Sequence, residues 1–129
     1  MMGDRPQRKR IRSPADVYRV PHTQATITLG VAGRRPVFAD AAFTSGCLDI
    51  LRERAERDGI EVLAYCSMPD HLHLLLEVVG DTSLIDFIRA FKGRTTRIAW
   101  NHGVQGSLWQ RSFYDHIVRR EEDTDKHLR

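Results

Sequence analysis

The sequence predicts an α+β domain of the split ferredoxin-like kind, an antiparallel sheet with both helices on one of its faces. Three observations predict it. Apolar residues recur at helical spacing in two stretches and alternate at strand spacing in four others. The order of these stretches is strand, helix, strand, strand, helix, strand. At 129 residues and 41% hydrophobic, the chain can bury one core and leaves no room for a second domain.

Met1 to Arg19 carry Arg5, Arg8, Lys9, Arg10 and Arg12 with little apolar periodicity, so residues 1–19 read as a basic flexible segment ahead of a domain spanning 20–129. In Ala25 to Val31, Ile27, Leu29 and Val31 alternate with Thr26, Thr28 and Gly30, the pattern of a first strand broken by Gly33 to Pro36. From Ala41 to Arg57, Phe43, Cys47, Ile50, Leu51 and Ala55 fall at helical spacing, and Asp58-Gly59 stops the helix with a residue suited to a left-handed turn. Ile60 to Cys66 form a second strand, Ser67 to Asp70 a tight connection, and Leu72 to Val79 a third strand. Gly80 to Ser83 cap a second helix whose buried stripe is Leu84, Ile88, Phe91 and Ile98. Asn101 to Ser107 loop, and Leu108 to Val118 lead into the fourth strand.

The formal net charge is +3 and the isoelectric point near 9.2, which mildly favours a polyanionic partner without choosing it over plain solubility. No long apolar run and no signal-peptide pattern occur, so a cytoplasmic protein with no membrane partner is expected. Cys47 and Cys66 lack CxxC spacing and sit among apolar residues, which reads as two buried, reduced thiols.

Met68 to Glu77 read Met-Pro-Asp-His-Leu-His-Leu-Leu-Leu-Glu. Strand side chains alternate, so His71, His73, Leu75 and Glu77 share one side while Leu72, Leu74, Leu76 and Val78 face a core. Two imidazoles on one rigid face could hold a divalent ion that polarises a phosphate. Such a pair alone is as often incidental as ligating, and its surroundings decide. Arg89, Lys92, Arg94 and Arg97 remain on the outer side of the second helix for solvent or for DNA, and Lys92-Gly93 would let a phosphate backbone approach beside a cation.

Val62 to Asp70 followed by His71-Leu72-His73 resembles the His-hydrophobic-His motif of single-tyrosine HUH transposases, especially the REP-associated branch. Gly33 to Phe38 is similar to that family's end of the first strand, Phe87 to Arg94 to its basic helix, and Leu108 to Arg119 to its last core strand. The resemblance runs from about Tyr18 to the last residue. It implies a divalent metal, magnesium or manganese, on His71 and His73, with single-stranded DNA, in particular hairpin ends, as partner. It further implies in-line attack of a tyrosine oxygen on a phosphate, which forms a 5′-phosphotyrosine and frees a 3′-hydroxyl without a nucleotide cofactor.

In that family the tyrosine lies on a helix after the last strand, with an amide nearby that often supplies a third metal ligand. Arg120 to Arg129 contain no tyrosine, so the resemblance implies a chain that stops short of its cleaving residue and leaves its activity undecided. Tyr114 is the best-placed substitute nucleophile, sharing a strand face with His116, although an aromatic on a strand more often packs. Tyr65, beside Cys66 in a core strand, reads as packing or as a hydrogen-bonded rim residue. Glu77 and His116 are candidate third ligands, and Trp109 and Phe113 are candidate base-stacking platforms whose commoner role is core packing. The readings that remain are a DNA-binding domain related to metal-dependent strand-transfer enzymes, a noncatalytic single-stranded hairpin-binding module, and a structural domain that self-associates, for instance as a homodimer.

Overall fold

The computed structural model describes Gln7–Arg8 and residues 15–119. Five strands form one antiparallel sheet: β1 (Gln7–Arg8), β2 (Gln24–Gly30), β3 (Ile60–Met68), β4 (His71–Val78) and β5 (Tyr114–Arg119). Their order across the sheet is β1-β5-β2-β4-β3. Without the two-residue β1, this is the order of a ferredoxin-like sheet, with helices α1 (Ala41–Asp58) and α2 (Leu84–Asn101) filling the crossovers. Among the described residues, no helix is long and apolar enough to cross a membrane.

Alternation in the central strands sorts the two faces. Ala25, Ile27 and Leu29 of β2 and Leu72, Leu74, Leu76 and Val78 of β4 are buried beneath the helices. Phe43, Cys47, Ile50, Leu51 and Ala55 of α1 and Leu84, Phe87, Ile88, Phe91 and Ala99 of α2 complete that core. At about 25 cal/mol per Å² of apolar surface, this one-sided burial is the main force holding helices to sheet. The opposite face carries no helix, and it presents Thr26, Thr28, His71 and His73 to solvent.

The element boundaries have local causes. Asp40 accepts hydrogen bonds from the Ala42 and Phe43 N–H groups and starts α1, while Gly59 ends it at φ 70°. A Cβ at Gly59 would also stand 2.7 Å from Gly80 Cα, so that corner admits only glycine. Ser83 caps α2 through the Asp86 N–H.

Several expectations are corrected. Within the stretch expected to be flexible, Ala15–Arg19 form a 3-10 turn and Tyr18 is buried. Gln7–Arg8 pair with β5, and the rest of the basic segment 1–14 lies outside the described residues. The last strand begins at Tyr114 rather than Leu108: Leu108 and Trp109 plug the core at the sheet's end, and the chain leaves regular pairing between Arg111 and Phe113. Cys47 is buried, but Cys66 is exposed, because β3 is an edge strand and its open face has no helix. Tyr65, which pairs with Leu74 and so lies on the other face, is exposed because β3 is the sheet's edge, which suits the rim reading rather than packing.

Candidate functional site

β4 carries His71 and His73 out of the open face with ring centroids 4.6 Å apart and planes at 88°. Each ring is anchored through Nδ1. His71 Nδ1–H donates to Asp70 Oδ1 at 2.8 Å, since a carboxylate oxygen can only accept. Asp70 is held in turn by Arg34 Nε at 3.1 Å from the turn after β2. The His71 hydrogen bond first, and the Arg34 one second, keep the Asp70 carboxyl below its ordinary range. Thr28 Oγ1, opposite His73 in the β2–β4 ladder, lies 3.0 Å from His73 Nδ1. With both Nδ1 atoms engaged, the Nε2 atoms are the ones left to face a ligand, as in metal-binding histidines whose other nitrogen is oriented by a carboxylate or hydroxyl. Desolvation against the sheet, then the neighbouring His71, lowers the His73 pKa and favours the neutral form a metal requires.

The other site candidates separate. Glu77 is at the far end of β4, where it accepts from Gln24 Nε2 at 2.9 Å and meets His22 Nδ1 at 3.0 Å. His116 pairs with Thr26, on the far side of β2 from the histidine pair and offset along it. Neither reaches His71 and His73, and among the described residues no group of three His, Cys, Asp or Glu comes together as a metal cluster. Of the three tyrosines, only Tyr114 stands on the histidine face, directly opposite Thr28. Trp109 is core, its Nε1 donating to Thr95 Oγ1 at 2.9 Å, and Phe113 packs half-buried against that core.

The four cations of α2 are not one surface. Arg94 reaches Glu53 of α1 at 3.3 Å and Arg89 pairs with Asp86 at 3.3 Å in its own turn. Lys92 Nζ donates to Gln110 O at 2.9 Å, and desolvation lowers its pKa. Lys92 and Arg97 line a groove with Gly93, Trp100, Gln110 and Arg111. No atom comes within 4 Å of where a Cβ on Gly93 would lie, so its place on the groove is open. Sequence reasoning missed Trp100, which is 55% exposed, and it missed Arg111, Asp70 and Thr28. Trp100 and Arg111 gave no periodic signal, but Asp70 next to the histidine pair was a readable orienting carboxylate.

Known proteins resemble the chain in sequence and in fold. Residues 19–126 match the family model described as Transposase IS200 like. The chain is 37% identical to the ISDra2 transposase TnpA of Deinococcus radiodurans over 75 residues, covering 53% of this chain and 54% of that one. It is 30% identical over 88 residues to a Haemophilus influenzae protein provisionally designated a REP-associated tyrosine transposase, covering 60% of this chain and 50% of the other. The chain thus spans about half the length of these curated relatives. A solved REP-associated tyrosine transposase bound to a REP hairpin superposes with a TM-score of 0.67 at 19% identity, over 92% of this chain and 67% of that one.

Proposed function

The chain belongs to the IS200-like transposase family, and from that premise we propose that it binds single-stranded DNA hairpin ends and holds a divalent ion, magnesium or manganese, on His71 and His73. The observation that carries this reading is the pair of imidazoles on an open sheet face, each engaged through Nδ1 so that Nε2 is left for a ligand. The residues fit a divalent ion. When bound there, the ion supplies Lewis acidity toward a phosphate oxygen. Asp70 and Thr28 hold the rings in the ligating tautomer, and Arg34 keeps Asp70 ionised and in place.

DNA affinity comes from phosphate contacts along the groove of α2, with Lys92 and Arg97 contributing most. Arg89 and Arg94, already paired with Asp86 and Glu53, contribute less. A solved protein of the same fold was bound to a REP hairpin, which makes a hairpin the first ligand to try. Replacing Lys92 and Arg97 by alanine is expected to weaken hairpin binding and reduce the slope of log affinity against log salt by roughly one for each phosphate that is no longer neutralised. Unchanged affinity and slope would reduce the helix to a solvated face. Manganese titration of the same protein and of His71→Ala and His73→Ala tests the metal site, and equal binding by all three would remove it.

Tyr114 is the nucleophile to test for strand cleavage, because it alone among the tyrosines shares the face of the histidines. Its attack on phosphorus would form a phosphotyrosine at the 5′ side and release the 3′ oxygen as a hydroxyl. A denaturant-resistant adduct with a labelled hairpin, lost in Tyr114→Phe, would assign it; binding without an adduct favours the noncatalytic hairpin-binding reading. Self-association has its candidate surface at the β3 edge, where Leu63 and Tyr65 are exposed. Failure to bind any DNA, together with a mass that rises with concentration, would favour that reading.

A further inference from the structure

Resting on the reading that the groove of α2 tracks DNA phosphates, we propose that the exposed indole of Trp100 is a stacking platform for an unpaired base, so that this groove grips single-stranded rather than fully paired DNA. A tryptophan left in water forfeits the apolar burial that a core offers. Trp109 takes that burial at 4% exposure, whereas Trp100 is 55% exposed. It stands one residue beyond Ala99, the last buried residue of α2, and so faces away from the core.

The ring is nonetheless held in place. Its Nε1–H donates to Gly106 O at 2.8 Å. The loop that supplies this carbonyl is tied to the end of α2, since Val104 N–H donates to Ala99 O at 3.0 Å and Gly103 N–H to Trp100 O at 3.3 Å. The Arg35 guanidinium clamps it from the other side, donating to Gln105 O at 3.2 Å and to Ser107 O at 2.6 Å. Gly103 at φ 88° and Gly106 at φ 73° supply the left-handed backbone that folds the loop back. The bond to Gly106 uses the indole's one donor, so what the ring offers a ligand is its π face. A ring fixed in advance also loses little conformational freedom when a flat ligand stacks on it.

The surroundings select that ligand. Lys92, Arg97 and Arg111 line the same groove, and among the described residues that line it none is acidic. Gly93, Arg97 and Trp100 follow at i, i+4 and i+7 and form a row along one side of α2. A strand laid on this row meets open backbone at Gly93, a cation at Arg97 and an aromatic face at Trp100, the combination that holds the phosphates and bases of a single strand. The flat face favours a base over an acidic peptide, and the cations repel a second copy of the same groove. Trp109 also borders the groove, but its Nε1 is committed to Thr95 Oγ1 inside the core, which leaves the stacking role to Trp100.

Trp100 and Trp109 are the two tryptophans of the chain, and Trp109 is buried, so indole emission that responds to a nucleic acid reports Trp100. The test titrates the intact chain with a hairpin bearing a short single-stranded flank, with the same hairpin blunt-ended, and with a flank made of abasic sites. The flanked hairpin is expected to quench the emission and to bind about tenfold more tightly than the other two, near the lower end of what one base stacked on an aromatic contributes. Trp100→Ala should lose that advantage on the flanked hairpin while binding the blunt one as the native chain does, with an unchanged salt slope because no phosphate contact is removed. If Trp100→Ala binds the flanked hairpin as tightly as the native chain, or the abasic flank binds like the intact one, Trp100 is no platform although the phosphate reading stands. Emission that shifts with protein concentration in the absence of DNA would mean that a second copy covers the ring instead. If the native chain binds neither hairpin, the DNA reading itself fails. The abasic flank needs no variant, so the assignment is tested even if Trp100→Ala folds poorly.

Discussion

The two cysteines show how much one side chain's fate depends on which face it takes. Cys47 lies in the stripe of α1 that packs on the sheet, and burial pushes its thiol up to about 12. Cys66 is exposed on β3, with its Sγ 3.9 Å from Met68 Sδ. Alkylation of the native protein at pH 8, followed by mass spectrometry, is therefore expected to add one group, at Cys66, and a second only after denaturation. Modification of native Cys47 would contradict its burial. The raised pKa also gives a sign for stability. Between the ordinary value of 9.0 and about 12, an unfolded Cys47 releases its proton while the folded one keeps it, so stability falls as pH rises through that window. In the sequence both thiols have apolar neighbours and look alike. The histidine pair was legible because alternation alone puts both rings on one face. What orients them was not, since Thr28 faces His73 only through a strand pairing that local sequence does not encode.

Among the elements, α1 is bounded by chemistry that can be removed cleanly. Hydrogen bonds from the Phe43 N–H first, with those of Ala42 and His102 behind it, hold the Asp40 carboxyl below its ordinary range. Asp40→Ala should lower the midpoint of thermal unfolding, and Asp40→Asn should recover most of the loss. An unchanged midpoint in Asp40→Ala would mean the first turn of α1 is held by packing alone. The helices and the central strands were readable because each has one apolar face of clear period. The last strand was misjudged for a physical reason. Leu108, Trp109 and Phe113 continue the apolar run into Tyr114, yet they serve different surfaces: the first two enter the core, while Phe113 packs half-buried beneath Lys92, whose Nζ lies 5.8 Å from its ring centroid. Only the tertiary pairing of Gln110 with Gly30 reveals that the run is interrupted.

At the scale of the whole molecule, the order β5-β2-β4-β3 puts the first and third long strands in the middle and leaves β5 tied on one side by β2 and, among the described residues, on the other by two residues of β1. A second tie comes from the 3-10 turn ahead of β2. The Tyr18 hydroxyl donates to Asp115 Oδ2 of β5 across 97 residues of sequence, with Tyr18 4% and Asp115 6% exposed. No sequence pattern announces a link of that span, and the expectation of a flexible segment to Arg19 followed from its absence. Tyr18→Phe keeps the ring in the core and removes one donor from a buried carboxylate. That loss should lower stability by about 1–3 kcal/mol, read as a lower urea midpoint with an unchanged m-value. The histidine pair is held by Asp70, Thr28 and β4 rather than by this tie, so manganese affinity of the folded variant should stay that of the native chain. A midpoint that does not move would show that β5 is secured by its ladder with β2 alone. A manganese affinity that falls with it would mean that the seating of the histidine face depends on the turn at Tyr18.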